Sequence, residues 1–265
     1  MNYKKIGVNW TGIRDLESLE FMTSNGHIDF IEILIDNFLN CEPKSILDTI
    51  KDIPCAFHIM NSRFIDNDIS NLSSMAKSIN FLKKELNPIY VSDHLGKFYY
   101  KEFTLPQMLE VDYQNDSKKI FEKLSIWQDL LECEIFLENY PSIFRQPVGQ
   151  AEFFEHLINA TNCGLLFDIS NAIISESNTG YAISSWDKIA KSTSHFHIAG
   201  YAPCGIENEF LVDTHDCEIS DVGLKWTEHF LRTTTSNKIT ISVERDGNFN
   251  NSEWLSDIQR VREVI

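Results

Sequence analysis

The chain has 265 residues, with 39 Asp and Glu against 23 Lys and Arg, for a net charge of -16. That balance argues against a nucleic-acid groove, which needs a basic face, and fits metal cations or a basic peptide as partners. Hydrophobic residues make up 43% of the chain, enough to build the core of one large domain.

No apolar run is long enough to span a bilayer. The N-terminus lacks the basic start, apolar stretch and cleavage site of a secretory signal. The cysteines Cys41, Cys55, Cys133, Cys163, Cys204 and Cys217 include no CxxC pair. The expectation is a cytoplasmic protein that keeps them as thiols.

Taken in order, residues 5–10 form the first strand candidate, and 15–24 a short helix with Leu16, Leu19 and Phe21 on its apolar side. Residues 30–35 are near-continuous apolar and β-branched, as in a strand covered on both faces. Pro43 opens a helix striped by Ile46, Leu47 and Ile50. A third strand covers 55–60 and a long helix 68–86; a fourth strand covers 88–94. An aromatic-rich connection, 95–113, leads to a helix over 116–131, with Asp116 or Ser117 as its N-cap. Strand 135–138, helix 151–161, strand 164–168 and a short helix over 186–191 follow. Strand 194–200 precedes an irregular stretch, 201–217. Helix 221–233, strand 238–245 and helix 252–264 complete the chain.

This is eight strands alternating with eight helices, with no linker or composition shift between them. Strict alternation predicts a parallel sheet with helices outside. Eight units in this length predict an α/β fold of one domain, residues 1–265, closed as a (β/α)8 TIM barrel. The rival is an open doubly wound sheet, but the first βα turn, Asn9-Trp10-Thr11-Gly12-Ile13, lacks the GxGxxG fingerprint.

Chemistry in such a barrel sits at the C-terminal strand ends. Those ends carry His58, Asp93-His94, Glu138-Asn139, Asp168, His197 and Glu244, and the loop after the seventh strand adds Asp213-Thr214-His215. Taken singly, each has an ordinary explanation: a strand His is usually a hydrogen-bonded core residue, and a strand-end carboxylate usually caps the next helix. Taken together they converge on one mouth, where unpaired buried charge is expensive unless a shared partner neutralises it. Alternation places His195 on the face of His197 but lower in the barrel, as a core histidine, and turns Asn139 away from Glu138 unless the strand bends. Imidazoles and carboxylates without thiolate suit two or three bridged ions of iron, manganese or zinc, and spacing does not choose among them. Arg63, Tyr113, Trp127 and Arg245 are further mouth candidates that no spacing sets apart. A GxSxG elbow and a Walker loop are both missing. Three functions remain open on the residues: a metal-dependent oxidase, a divalent-metal sugar isomerase or zinc phosphodiesterase, and a metal-stapled, non-catalytic peptide-binding scaffold.

Several stretches resemble the multinuclear non-haem iron-dependent oxidative enzymes: Ala56-Phe57-His58-Ile59-Met60, Val91-Ser92-Asp93-His94, Phe167-Asp168-Ile169-Ser170-Asn171, His195-Phe196-His197-Ile198-Ala199-Gly200, Asp213-Thr214-His215-Asp216 and Glu244-Arg245-Asp246. The Ile35-Asp36-Asn37-Phe38 and Asn139-Tyr140-Pro141-Ser142 contexts are similar to the methanobactin-biosynthesis branch. The resemblance implies a TIM barrel with two or three irons of mixed Fe2+/Fe3+ valence and O2 as co-substrate. It implies an MbnC-like partner protein and an MbnA-like precursor peptide with a reactive cysteine. The implied reaction is a four-electron oxidation of that cysteine to an oxazolone and adjacent thioamide. The implied iron ligands are His58, His94, Glu138, Asp168, His197, Asp213, His215 and Glu244, with Asp93 and Asn139 as ligands or as residues behind them. Glu138, Asp168, His197, Asn139 and Asp93 would surround the reacting centre. The sequence departs from some relatives in ending at Ile265 without a Cys-bearing tail.

Overall fold

The computed structural model describes residues 3–205, 207 and 209–265. In chain order the elements are β1 (Tyr3–Trp10), α1 (Leu16–Ser24), β2 (Phe30–Leu34), α2 (Pro43–Ile50), β3 (Cys55–Ile59), α3 (Ile69–Leu86) and β4 (Val91–His94). Then come β5 (Lys97–Tyr100), β6 (Phe103–Leu109), α4 (Ser117–Leu131), β7 (Phe136–Glu138), α5 (Gln150–Thr161), β8 (Gly164–Asp168) and α6 (Ile169–Thr179). The rest are α7 (Asp187–Ala190), β9 (His195–Ala199), β10 (Tyr201–Cys204), β11 (Phe210–Asp213), α8 (Asp221–Thr233), β12 (Lys238–Glu244) and α9 (Asn251–Val264).

Eight of the strands close a barrel in the order β1-β12-β9-β8-β7-β4-β3-β2. Every pairing in it is parallel, from Ile6 opposite Ile241 round to Gly7 opposite Phe30. The expected single-domain TIM barrel is therefore the fold.

Alternation along each stave divides the apolar side chains into two sets. On β8, Leu165 and Phe167 pack outward against the helices, and Leu166 packs inward with Phe30, Ala56, Tyr90 and Phe136. This inner group plugs the lower barrel. It needs two glycines, because a Cβ on Gly7 would run into the Phe30 ring, and one on Gly164 into the Phe136 ring. The outer layer buries Trp127 of α4 and Trp254 of α9 completely.

Three local readings need correction. Residues 169–179 form α6, which no stripe announced. Ile169, Ser170, Asn171, Ala172, Ile173 and Ile174 are all buried, so burial runs round the helix instead of along one face. The 95–113 connection holds the β5–β6 hairpin, and the 201–217 stretch holds β10–β11. Both are largely exposed two-stranded ribbons, without the buried alternation that marks a barrel stave. Asp116 precedes α4 but does not cap it: its Oδ2 accepts from the Asp112 backbone N–H at 2.9 Å. All six cysteines are free thiols. Among the described residues, no helix is long and apolar enough to cross a membrane.

Candidate metal centre

The C-terminal ends of β3, β4, β7, β8, β9 and β12 deliver His58, His94, Glu138, Asp168, His197 and Glu244 to one rim. His58, His94, Glu138 and Glu244 line a cavity of about 600 Å³ whose walls include the two hairpins through Leu105–Met108 and Leu211–Asp213, with Asp168 and His197 fully buried beneath it. Glu138 is central. Its Oε2 lies 3.0 Å from His94 Nε2 and 3.5 Å from His58 Nε2. Its Oε1 lies 3.3 Å from His197 Nδ1, which is also 3.0 Å from Glu244 Oε2.

The sequence reading missed one member. Glu32, in the middle of β2, is 1% exposed and places Oε2 2.7 Å from His197 Nε2. Its other oxygen accepts from Tyr90 Oη at 2.8 Å. The signal was there: a carboxylate within Phe30-Ile31-Glu32-Ile33-Leu34, an otherwise apolar strand buried at nearly every position, needs a partner across the barrel.

Three overlapping sets bring their ligand atoms within 4.8 Å of one another: Glu32, His58 and His197; His58, His94 and Glu138; Glu138, Asp168, His197 and Glu244. His58, Glu138 and His197 each belong to two sets, so the sets abut, and of the three only the Glu138 carboxylate has two oxygens free to bridge neighbouring ions. The imidazoles are aimed from behind. His58 Nδ1 is 2.8 Å from Ser92 Oγ, and His94 Nδ1 donates to the Ile59 carbonyl at 3.0 Å, so both present Nε2 to the rim.

Asp213 and His215 form a second group beside the first. His215 Nε2 sits 2.7 Å from Asp213 Oδ1, and its Nδ1 sits 3.0 Å from Asp246 Oδ2. Asp246 is fixed in turn by Asn9 Nδ2 at 2.8 Å. His215 takes a left-handed φ of 50°, which turns its ring back over the mouth.

Two residues proposed from sequence face elsewhere. Asp93 is buried behind β4, accepting from the His94 backbone N–H at 2.7 Å and from Trp127 Nε1 at 2.8 Å. Asn139 splices β7 to β8: its Oδ1 accepts from Asp168 N at 2.8 Å, and its Nδ2 donates to Asp168 O at 2.9 Å. Both side chains hydrogen-bond to neighbouring residues, and neither belongs to the three ligand sets. Trp127 and Tyr113 are core residues, and Arg245 turns outward to Asp257 at 2.9 Å. Of the four further mouth candidates, only Arg63 lines the cavity.

The electrostatics are those of ligands crowded together. Burial pushes His58 down to about 3, with the neighbouring His94 adding to the effect. His94 is raised to about 9: the cost of burial is overcome by Glu138. His197 and His215 are likewise held well above the ordinary imidazole value, against burial, by Glu244 and Asp213 respectively. Glu32 is held down to about 2 against burial by His197. Burial and the repulsion of Glu138 drive Asp168 well above the usual carboxylate range, and burial raises Glu244.

The donor atoms fit a cation better than a set of protons. Glu32 Oε2, Glu138 Oε2, Asp168 Oδ2, His197 Nε2, Glu244 Oε2, Asp213 Oδ1 and His215 Nε2 are all buried without a hydrogen bond. His197 Nε2 and Glu32 Oε2 are 2.7 Å apart yet not aligned to share a hydrogen. Asp168 combines both of its expected roles: Oδ1 caps α6 by accepting from Asn171 N at 2.8 Å, and Oδ2 is left facing the cluster.

A closed parallel barrel with this rim defines a TIM-barrel enzyme class with a metal-competent centre. Within that class, residues 6–265 match the RiPP precursor modification enzymes MbnB/TglH/ChrH, and the chain belongs to this family. It is similar to a UPF0276 protein of Rhizorhabdus wittichii, 25% identical over 250 residues, covering 89% of this chain and 86% of the relative. A UPF0276 protein of Caulobacter vibrioides is 29% identical over 169 residues, covering 61% of this chain and 58% of its own. Among solved structures, D-allulose 3-epimerase from Methylomonas sp. superposes with a TM-score of 0.68 at 9% identity, covering 100% of this chain and 98% of that one. A zinc-bound IOLI protein superposes at 0.60 with 15% identity, covering 98% and 96%. At those identities the likeness carries the fold alone.

Proposed function

We propose that this chain is a multinuclear iron oxidase that modifies a cysteine of a ribosomally made precursor peptide, with an MbnC-like partner protein and an MbnA-like substrate. The products on this reading are an oxazolone and a neighbouring thioamide, as in methanobactin copper-chelator biosynthesis. The observation that carries the reading is the set of buried, unbonded ligand atoms shared among three overlapping groups at the mouth of a family member's barrel.

His58, His94, Glu32, Glu138, Asp168, His197 and Glu244 would hold the ions, with Asp213 and His215 completing a further position. Iron held there would supply one-electron redox chemistry between a peptide thiolate and O2. The chain's own contribution is positioning and proton control. Ser92, the Ile59 carbonyl and Asp246 fix imidazole orientation. Burial raises both Asp168 and Glu244, so a cation held there would compete with protons for their carboxylates. The hairpins supply part of the cavity wall. In balance, the peptide loses four protons and four electrons, and one O2 takes them up as two waters. The charge of -16 also steers a basic leader peptide, so its association slows with added salt.

The test is co-expression with an MbnA-like precursor and an MbnC-like partner, followed by mass analysis of the peptide. A loss equal to four hydrogens, dependent on iron and O2, is the expected result. An unmodified peptide with iron, O2 and partner all supplied would overturn the proposal.

A further inference from the structure

The cavity has one cationic lysine or arginine among its described lining residues, Arg63. It shares that wall with Glu32, Glu138, Asp213, Glu244 and Asp246, yet no carboxylate of the described residues pairs with it. Its guanidinium is held instead by neutral groups. It lies 5.4 Å from the Phe98 ring centre and 5.6 Å from that of Tyr99, and Nη1 donates to Tyr99 Oη at 3.1 Å. A guanidinium has five donors, so most of this one's are left for something else.

The position is built. Asp36 accepts from the backbone N–H groups of Met60 and Asn61 at 2.8 and 2.9 Å, anchoring the start of the loop after β3. The Arg63 carbonyl then accepts from Asp66 N at 2.9 Å and Asn67 N at 2.8 Å. Arg63 itself sits at φ 51°, a left-handed conformation uncommon for a side-chain-bearing residue. The loop thus holds a strained backbone in order to present a cation over two rings at the same cavity as His58 and His94. Those two imidazoles and the acids are committed to the metal rim, which leaves Arg63 as the group that can read negative charge on a substrate.

We propose that Arg63 is the carboxylate-binding subsite of this cavity. It takes a carboxylate of the peptide whose cysteine reaches the metal rim, either the C-terminal group or an Asp or Glu side chain near the cysteine. A planar guanidinium pairs with a planar carboxylate through two parallel hydrogen bonds, which fixes orientation as well as distance. Bound so, the peptide has two anchors, thiolate and carboxylate, and its register in the cavity is set. This rests on the peptide-substrate reading above.

The test uses the full chain with its MbnC-like partner, loaded with iron(II) under nitrogen, so that binding is read without turnover. Three fluorescent cysteine pentapeptides serve as probes: one with a free C-terminus, one amidated and neutral, and one amidated with an Asp beside the cysteine. We expect a carboxylate peptide to bind about ten- to hundredfold tighter than the neutral one. Which of the two does so identifies the source of the charge. Arg63→Gln should erase that preference, and Arg63→Lys should keep part of it, with iron content and thermal midpoint unchanged in both. Equal binding of all three peptides, or a preference that survives Arg63→Gln, overturns the subsite and leaves the peptide reading standing. Binding of none of them overturns the peptide reading and the subsite with it.

Discussion

His195 and His197 stand two residues apart on β9, on the same face, inside the same barrel. The lower one lies among rings, 4.2 Å from Tyr90 and 4.5 Å from Phe136 between centres, with Nδ1 2.8 Å from Thr240 Oγ1. Burial pushes it down to about 4. The upper one is surrounded by Glu32, Glu138 and Glu244 and is held well above the ordinary value. The same residue type is a packing element in the lower half of the barrel and a ligand candidate among carboxylates in the upper half. Depth along the barrel axis, set by one turn of the pleat, decides which.

The sharpest way to break this contrast is to remove an upper-half group. Glu138→Gln or His197→Ala should abolish iron loading and peptide oxidation while the barrel still folds. Metal analysis after anaerobic purification, beside a circular dichroism spectrum, checks this, and full iron content in either variant would refute the assignment. Glu32→Gln tests the member the sequence did not announce. Removing it should weaken iron binding by at least the 10- to 100-fold typical of groups behind a metal ligand, read by chelator competition.

The next effect is on pH. His94, His197, His215, Asp168 and Glu244 all have raised values, and each must lose its proton to bind a cation. Iron affinity should therefore fall as pH drops and rise as it increases, with proton release on loading visible in a weakly buffered titration. The lower half should behave independently. The folded His195 has a value below that of the unfolded chain, so the unfolded chain takes up the proton first. The stability is full above the ordinary imidazole value and is lost as pH falls toward about 4. The paired change His195→Phe with Thr240→Val should remove up to about 3 kcal/mol of that acid sensitivity and leave iron loading alone, as seen by denaturant melts across pH. Smallest is Asn139→Ala. It unties β7 from β8 and leaves the Asp168 backbone unpaired, costing about 1–3 kcal/mol of stability with little loss of iron.

Much of this was legible in the sequence because strand ends repeat. Eight apolar runs separated by helical stripes gave the barrel, and polar residues at the run ends gave His58, His94, Glu138, Asp168, His197 and Glu244 as one rim. Glu32 escaped because it sits in the middle of its strand, where its run reads as core. Its level in the barrel, opposite Asn9 on one side and Ala56 on the other, is set by the register of the closed sheet. Asp93 and Asn139 share their strand ends with His94 and Glu138, and alternation turned Asn139 away in the sequence only if the strand ran straight. In the structure the pleat separates them, by sending adjacent side chains to opposite faces. The hairpins were hidden for the opposite reason: ribbons with little buried surface leave no periodic trace.

The most direct measurement is anomalous diffraction at the iron edge from crystals loaded without oxygen. The account predicts iron peaks among Glu138, His58 and His94, and among Glu138, Asp168, His197 and Glu244. Iron absent from both positions, or found only on the acidic outer surface, would contradict it.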